Sequence, residues 1–315
     1  MKRVAFVFPG QGSQAIGMGK AMYDTYEEVQ EIFEKANQLL KTDITALMFE
    51  GPADELTNTV NAQPALLLTS VAINHILRQQ GVEPVITAGH SLGEYSALVA
   101  AGSLSLDDAL PLVQKRGQLM ESAYPKGQGA MAAVLGSELA VIEEVIQDIN
   151  NTSTETVDIA NLNCPGQVVI SGTKQGIEIA QEKLAEKGAK RVIPLNVSGP
   201  FHSRLMEPAA EQFREALENV SIRDAKVPVV ANVTAQTVTE QIDIPDLLVK
   251  QLYSPVRFEE IIEEIIQSNV DAIVEVGNGK VLNGLVKKVN RRMKTFAIQD
   301  PASLSEFMEW YKEES

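Results

Sequence analysis

Val85-Ile86-Thr87-Ala88-Gly89-His90-Ser91-Leu92-Gly93-Glu94 decides how this chain folds. The apolar residues ahead of Gly89 predict a short buried strand, and Tyr95 to Ala101 predict a buried helix, with almost no loop between them. A chain that reverses so sharply forces its central residue into strain. Gly89 and Gly93, two positions either side of Ser91, stand where a side chain would collide with the turn. The G-x-S-x-G elbow this makes presents a serine hydroxyl at the carboxyl end of a strand. It lies also at the start of a helix, whose free N–H groups and dipole favour developing negative charge. The pattern occurs by chance in loops too, but its place between strand and helix predicts a nucleophilic serine.

Upstream, Lys2 to Phe8 is a β-rich run and Pro9-Gly10-Gln11-Gly12-Ser13-Gln14 a sharp turn. Gly10-x-Gly12-x-x-Ala15 matches a dinucleotide-binding fingerprint, which needs an acidic residue at the end of a second strand. The acidic candidates Glu31 and Glu34 fall instead in a helix, with Thr25 and Glu28 as its expected capping box. The loop is better suited to bringing backbone N–H groups close to an anion. Pro64 to Gln80 predicts a helix apolar around most of its circumference, hence buried.

Downstream, Ser105 and Asp108 predict the start of a helix reaching about Tyr124. Within it Arg116 has Leu112, Val113, Leu119 and Met120 as neighbours at helical spacing, so a cation projects from an apolar stripe. Such a charge needs a carboxylate partner, a route to water, or a bound anion, for which arginine offers a planar two-pronged fork.

From Gly129 the texture changes. Met131–Leu135, Val157–Leu162, Gln167–Ser171 and Arg191–Leu195 read as strands, and Glu138–Ile149 and Lys174–Lys187 as helices, in the βαββαβ order of a ferredoxin-like unit. Residues 127–195 are therefore predicted to be an insertion, with 1–126 and 196–315 forming an α/β core around a mainly parallel sheet. Cys164 in the Asn163-Cys164-Pro165-Gly166 turn has no base near it in sequence and is expected to be a small hairpin residue. Val227–Val233 and Ala272–Val276 read as further strands, and Pro208–Leu217 as a helix.

Three histidines compete to serve Ser91. His75 lies in the apolar helix, and His90 is adjacent to the serine, so that its side chain points elsewhere. His202, in the loop Ser198-Gly199-Pro200-Phe201-His202-Ser203, is the remaining candidate base. No Asp or Glu stands out as a third member, so a neutral acceptor is expected to orient the imidazole.

Composition narrows the class. The 315 residues are 44% hydrophobic, enough for a sizeable core, and the net charge of −15 argues against nonspecific binding to nucleic acid or anionic lipid. The single cysteine permits no internal disulfide. No apolar run reaches the about eighteen residues of a membrane span, and no secretory leader is evident. A cytoplasmic protein with no membrane association is expected. Lys280, Lys287, Lys288, Arg291, Arg292 and Lys294 make a basic cluster that stands out in so acidic a chain.

Taken together, Gly10-Gln11-Gly12-Ser13-Gln14, Gln63-Pro64-Ala65-Leu66, Gly89-His90-Ser91-Leu92-Gly93-Glu94, Arg116-Gly117, Asn163-Cys164-Pro165-Gly166-Gln167, Gly199-Pro200-Phe201-His202-Ser203 and Ser254-Pro255-Val256-Arg257 resemble the malonyl-CoA:acyl carrier protein transacylase family. The resemblance spans nearly the whole chain. It implies a hydrolase-like α/β core with an inserted ferredoxin-like subdomain. It also implies Ser91 as nucleophile, His202 as base, the backbone N–H groups of Gln11 and Leu92 as oxyanion hole, and a main-chain carbonyl at Gln251 orienting the histidine. Arg116 would clamp the malonate carboxylate, with Gln63 and Phe201 also at the substrate. Malonyl-CoA and acyl carrier protein would be the partners of a monomer, with no cofactor and no metal, coenzyme A being part of the substrate. A serine hydrolase acting on acyl-CoA is the alternative. Gly277-Asn278-Gly279 departs from the Gly-Pro-Gly of many relatives, which bears on the stiffness of that turn and not on the chemistry.

Overall fold

Val4–Phe8, five buried residues in succession, is the kind of run that a strand covered on both faces requires. In the computed structural model, which describes residues 2–313, it is β1. The other strands are β2 (Ile86–Gly89), β3 (Gly129–Leu135), β4 (Val157–Cys164), β5 (Gln167–Thr173), β6 (Arg191–Pro194), β7 (Val229–Val230), β8 (Thr237–Val238), β9 (Ala272–Val276) and β10 (Thr295–Ile298).

The larger sheet has the order β10-β9-β1-β2-β7-β8, parallel throughout except for the β7–β8 hairpin. Alternation along β1 divides the interior. Val4, Phe6 and Phe8 pack on one face with the helices Thr59–Gln79, Gly93–Ala100 and Leu106–Ser122. Ala5 and Val7 pack on the other with Phe258–Gln267 and Val281–Val289. Phe8 is in register with Gly89, so β1 and β2 end together at the elbow.

The smaller sheet is antiparallel, in the order β4-β5-β3-β6, with the helices Leu139–Thr152 and Lys174–Glu186 packed on it around Val134, Ile142, Ile149, Ile170, Ile177 and Leu184. This is the ferredoxin-like arrangement expected from the order of its elements. Two backbone hydrogen bonds seat it on the larger unit: Leu162 N–H to Val256 O at 2.9 Å and Val256 N–H to Ala160 O at 2.8 Å.

Four local expectations fail, each for a visible reason. The long buried helix begins at Thr59 rather than Pro64, because Asn58 caps it by accepting from Val60 N–H, and Pro64 is carried inside. Thr25 closes a short helix, its hydroxyl bonded to Ala21 O, so Glu27–Leu40 starts without a side-chain cap. Only Val229–Val230 of the Val227–Val233 run joins the ladder, since Asn232 turns inward to the elbow. The expected Pro208–Leu217 helix starts earlier, as the 3₁₀ segment Arg204–Ala209, and continues as Ala210–Glu218.

Candidate active site

The elbow is closed to any side chain. A Cβ on Gly89 would fall 1.9 Å from the carbonyl carbon of Gly93, and one on Gly93 would fall 2.0 Å from Phe8 O. Ser91 at the apex has φ 51°, a left-handed conformation that its surroundings must enforce. Asn232 supplies that restraint. Its Oδ1 accepts from Ser91 N–H at 2.8 Å while its Nδ2 donates to Gly89 O at 2.6 Å, so one side chain spans the turn.

His202 is brought to the serine from the far side of the insertion. Its Nε2 is 2.8 Å from Ser91 Oγ and its Nδ1 is 2.8 Å from the main-chain oxygen of Gln251. A carbonyl can only accept, so Nδ1 carries the hydrogen and the Nε2 lone pair faces the serine hydroxyl. Burial first, and the nearby Arg116 charge second, push this imidazole down to about 3, which keeps it a neutral base. The backbone of His202 is itself left-handed, φ 59°.

The other histidines are committed elsewhere. His90 Nε2 bonds Asn163 Oδ1 at 2.8 Å and its ring packs on Phe258, away from Ser91. His75 sits beside Gln79 at the rim of its helix. Cys164 is buried, with burial raising its thiol above the ordinary value, and Gln167 Oε1 at 3.9 Å is its recorded hydrogen-bond acceptor, so no base activates it.

Arg116 is 1% exposed, which rules out an escape to water. Its guanidinium reaches Gln63 Oε1 and Gln251 Oε1, each at 2.8 Å, and Ser91 Oγ at 3.2 Å, and lies over the Tyr95 ring. Among the described residues it has no carboxylate partner, and its Nε is buried without an acceptor. Two neutral amides therefore hold a full charge beside the serine, an arrangement that is stable only weakly by itself and that an incoming anion completes.

A cavity of about 420 Å³ opens on these groups, lined among others by Gln11, Ser91, Leu92, Arg116, Phe201 and His202. Among the described residues, no protein acceptor takes the backbone N–H of Gln11 or of Leu92, so both remain available to an oxygen in the cavity. The Gln11 loop is tied to the turn after β9 by Asn278, whose Nδ2 donates to Ser13 O at 2.6 Å. Asn278 thus adds a tether that a proline at this position could not donate. The geometry suits acyl transfer to a serine from a donor that also bears a free negative group.

Sequence reading missed Asn232 and Glu94. Glu94 is 2% exposed, and its Oε2 accepts from Asn232 N–H and from Gln251 Nε2. Its signal was present: a carboxylate in the apolar run Leu92 to Ala101 is as anomalous as the guanidinium of Arg116. Asn232, in Val229-Val230-Ala231-Asn232-Val233, carried no comparable mark.

Half of the basic cluster has partners within the protein. Lys287 bonds Met293 O, Lys288 bonds Gln167 Oε1, and Lys294 lies over Phe296 and Trp310, while Lys280, Arg291 and Arg292 are exposed.

Known proteins extend this picture. Residues 5–299 match the acyl transferase domain family. A malonyl CoA-acyl carrier protein transacylase of Bacillus subtilis (strain 168) is 53% identical over 315 residues, covering 100% of this chain and 99% of the relative. The crystal structure of an acyl carrier protein S-malonyltransferase from Vibrio cholerae superposes with a TM-score of 0.94 at 43% identity, covering 97% of this chain and 99% of the other. A further structure, of a type II PKS acyl-carrier protein in complex with its malonyl-transacylase, superposes with a TM-score of 0.94 at 40% identity over 98% and 99% of the two chains.

Proposed function

The chain belongs to the acyl transferase domain family, and from that premise we propose how its own residues perform the reaction. It moves the malonyl group of malonyl-CoA to the phosphopantetheine thiol of acyl carrier protein, the activity for which its full-length relatives are named. These relatives are named for transfer to a carrier, not for hydrolysis.

Ser91 passes its proton to His202 Nε2 as its oxygen attacks the thioester carbonyl. The oxyanion is received by the backbone N–H groups of Gln11 and Leu92, and collapse expels coenzyme A, whose sulfur takes the proton back from the imidazolium. The carrier's thiol then repeats the sequence on malonyl-Ser91. Arg116 pairs with the free malonyl carboxylate, Gln63 and Gln251 hold the guanidinium in plane, and Phe201 walls the acyl group. These steps draw on the chain and its two thioesters, and no cofactor enters them. We take residues 127–195 as the inserted unit and a single chain as the working unit, acting in the cytoplasm. Among the described residues no helix is long and apolar enough to cross a membrane.

The observation that carries this reading is a 1%-exposed guanidinium, 3.2 Å from the serine oxygen and, among the described residues, in no salt bridge. Incubation with radiolabelled malonyl-CoA tests it. Label should build up on the protein and move to added acyl carrier protein, whereas immediate release as free malonate, unaffected by the carrier, would restore the hydrolase.

Arg116→Ala should lose most malonyl transfer and gain relative preference for acetyl-CoA, since acetyl has no carboxylate to pair. Lysine should rescue poorly, because a point charge cannot span two oxygens as the planar fork does. Competition between the two thioesters reads this directly, and an unchanged malonyl preference would reduce Arg116 to a structural role.

Docking of the carrier is a separate matter. Acyl carrier protein is expected to be acidic, and a net charge of −15 on the enzyme repels it at long range, so we propose that it approaches through the local basic surface of Lys280, Lys287, Lys288, Arg291 and Arg292. Lys287→Glu with Arg291→Glu should raise KM for the carrier and flatten its salt dependence while malonyl loading from coenzyme A stays near wild type. Steady-state transfer at two ionic strengths measures this, and an unaltered KM removes the surface from the docking site.

A further inference from the structure

Glu94 is a buried carboxylate that the reaction as written does not use. It lies in the first turn of the helix that follows the elbow, and both of its recorded hydrogen bonds converge on one oxygen: Asn232 N–H at 3.2 Å and Gln251 Nε2 at 2.6 Å to Oε2. Among the described residues no cation pairs with it. A carboxylate so placed is costly to keep ionised, and burial pushes it up to about 7, with its bonds to Gln251 and Asn232 and the Arg116 charge pulling the other way.

What Glu94 touches is the junction of the site. Gln251 gives its main-chain oxygen to His202 Nδ1, its Oε1 to Arg116 at 2.8 Å, and its Nε2 to Ser91 O at 3.0 Å as well as to Glu94. A side-chain amide has two orientations, and an ionised carboxylate can only accept. Glu94, together with Ser91 O and with Asn232 Oδ1 at 3.3 Å, therefore holds the NH₂ end of Gln251 on its own side and leaves the oxygen for the guanidinium.

Charge completes the argument. In the resting site Glu94 and Arg116 stand one amide apart with opposite signs. When His202 takes the serine proton, a second cation appears close to Arg116, and the group on Nδ1 is a neutral carbonyl. In a Ser-His-Asp triad the carboxylate that stabilises the imidazolium sits on Nδ1 itself. Here the nearest carboxylate of the network is Glu94, one residue further out.

Resting on the function proposed above, we propose that Glu94 is a positioning residue of the reaction: its oxygen helps to orient the Gln251 amide that holds Arg116, and its negative charge, one amide away, offsets the imidazolium formed on His202. The charged and titratable groups that act on it are Arg116 from the Leu106–Ser122 helix and Tyr95 on its own helix, and His202 stands on the other side of Gln251. Tyr95 is raised by burial and stays neutral, and His202 at about 3 does not titrate in the working range. The acidic limb of kcat/KM should accordingly fall near pH 7 and belong to Glu94. Activity is present above that limb and lost as the carboxylate is protonated.

Glu94→Gln is the test, because a glutamine oxygen can keep both hydrogen bonds while the charge is gone. Its kcat should fall about 10- to 100-fold with malonyl-CoA, part of the about 10²- to 10⁴-fold that the base supplies, and its profile should lose the limb near pH 7. Acetyl transfer should fall as well, which separates Glu94 from Arg116. Glu94→Asp should retain the limb. A rate loss in Glu94→Gln with the wild-type pH profile would make Glu94 a packing residue and overturn the proposal, as would wild-type rates. A wild-type profile flat from pH 6 to 8 overturns it without recourse to any variant. If wild-type protein takes no label from malonyl-CoA at all, it is the proposed function that fails instead.

Discussion

Ser91→Ala should take up no covalent malonyl group and carry out no transfer, while still folding. The alanine inherits the left-handed backbone that Asn232 and the two flanking glycines impose, and it leaves Arg116 held by Gln63 and Gln251. Among the described residues, Ser91 Oγ is the hydroxyl bonded to His202 Nε2. Removing the nucleophile of a comparable serine site costs about 10⁶-fold in kcat, so the residual rate should be near background. Intact-mass measurement after exposure to malonyl-CoA reads the outcome. Any variant protein that still gained one malonyl group would place the nucleophile elsewhere.

His202→Ala should slow acylation by about 10²- to 10⁴-fold, the usual contribution of a general base. The loss should appear in both half-reactions, because the same Nε2 receives a proton first from the serine and then from the carrier's thiol. His90→Ala is the control: its ring is spent on Asn163 and Phe258, so a far smaller loss is expected. Single-turnover acylation of each variant compares them, and greater damage from His90→Ala would reverse the assignment.

Much of this site could be read from the chain because its chemistry is local. The elbow needs glycines at fixed positions around one serine, and the 1.9 Å and 2.0 Å approaches at Gly89 and Gly93 show why nothing else fits there. Arg116 was visible because a charge on an apolar stripe is an anomaly within a single helix. The ferredoxin-like unit was legible because its six elements follow one another without interruption.

The main-chain oxygen of Gln251 carries no side-chain signature and was suggested only by resemblance. Asn232 carried no local mark and clamps a turn 141 residues upstream, while the anomaly of Glu94 was legible in its apolar run but its partners Asn232 and Gln251, 138 and 157 residues away, were not. The misplaced helix starts at Thr25 and Pro64 arose where one plausible local cap competed with another local hydrogen bond, the Thr25 hydroxyl to Ala21 O in the first case and Val60 N–H to Asn58 Oδ1 in the second.

The pairing of β1 with β9 sets the order in which this molecule can assemble on the ribosome. Arg3 N–H meets the Asp271 carboxylate across 268 residues, and the whole of β1 stands between β2 and β9 in the central sheet. While the chain is being synthesised, β1 can gain β2 early but must wait for β9 until almost everything else has emerged. The insertion has no such delay: β3 to β6 and their helices close on one another within a short span, so they can fold as a unit once that span clears the exit tunnel. The groups that do the chemistry are therefore assembled last. His202, Asn232 and Gln251 all follow the insertion in sequence, and the serine made early has no partners until they arrive. Until β9 has emerged, the edge of β1 that will pair with it stays open.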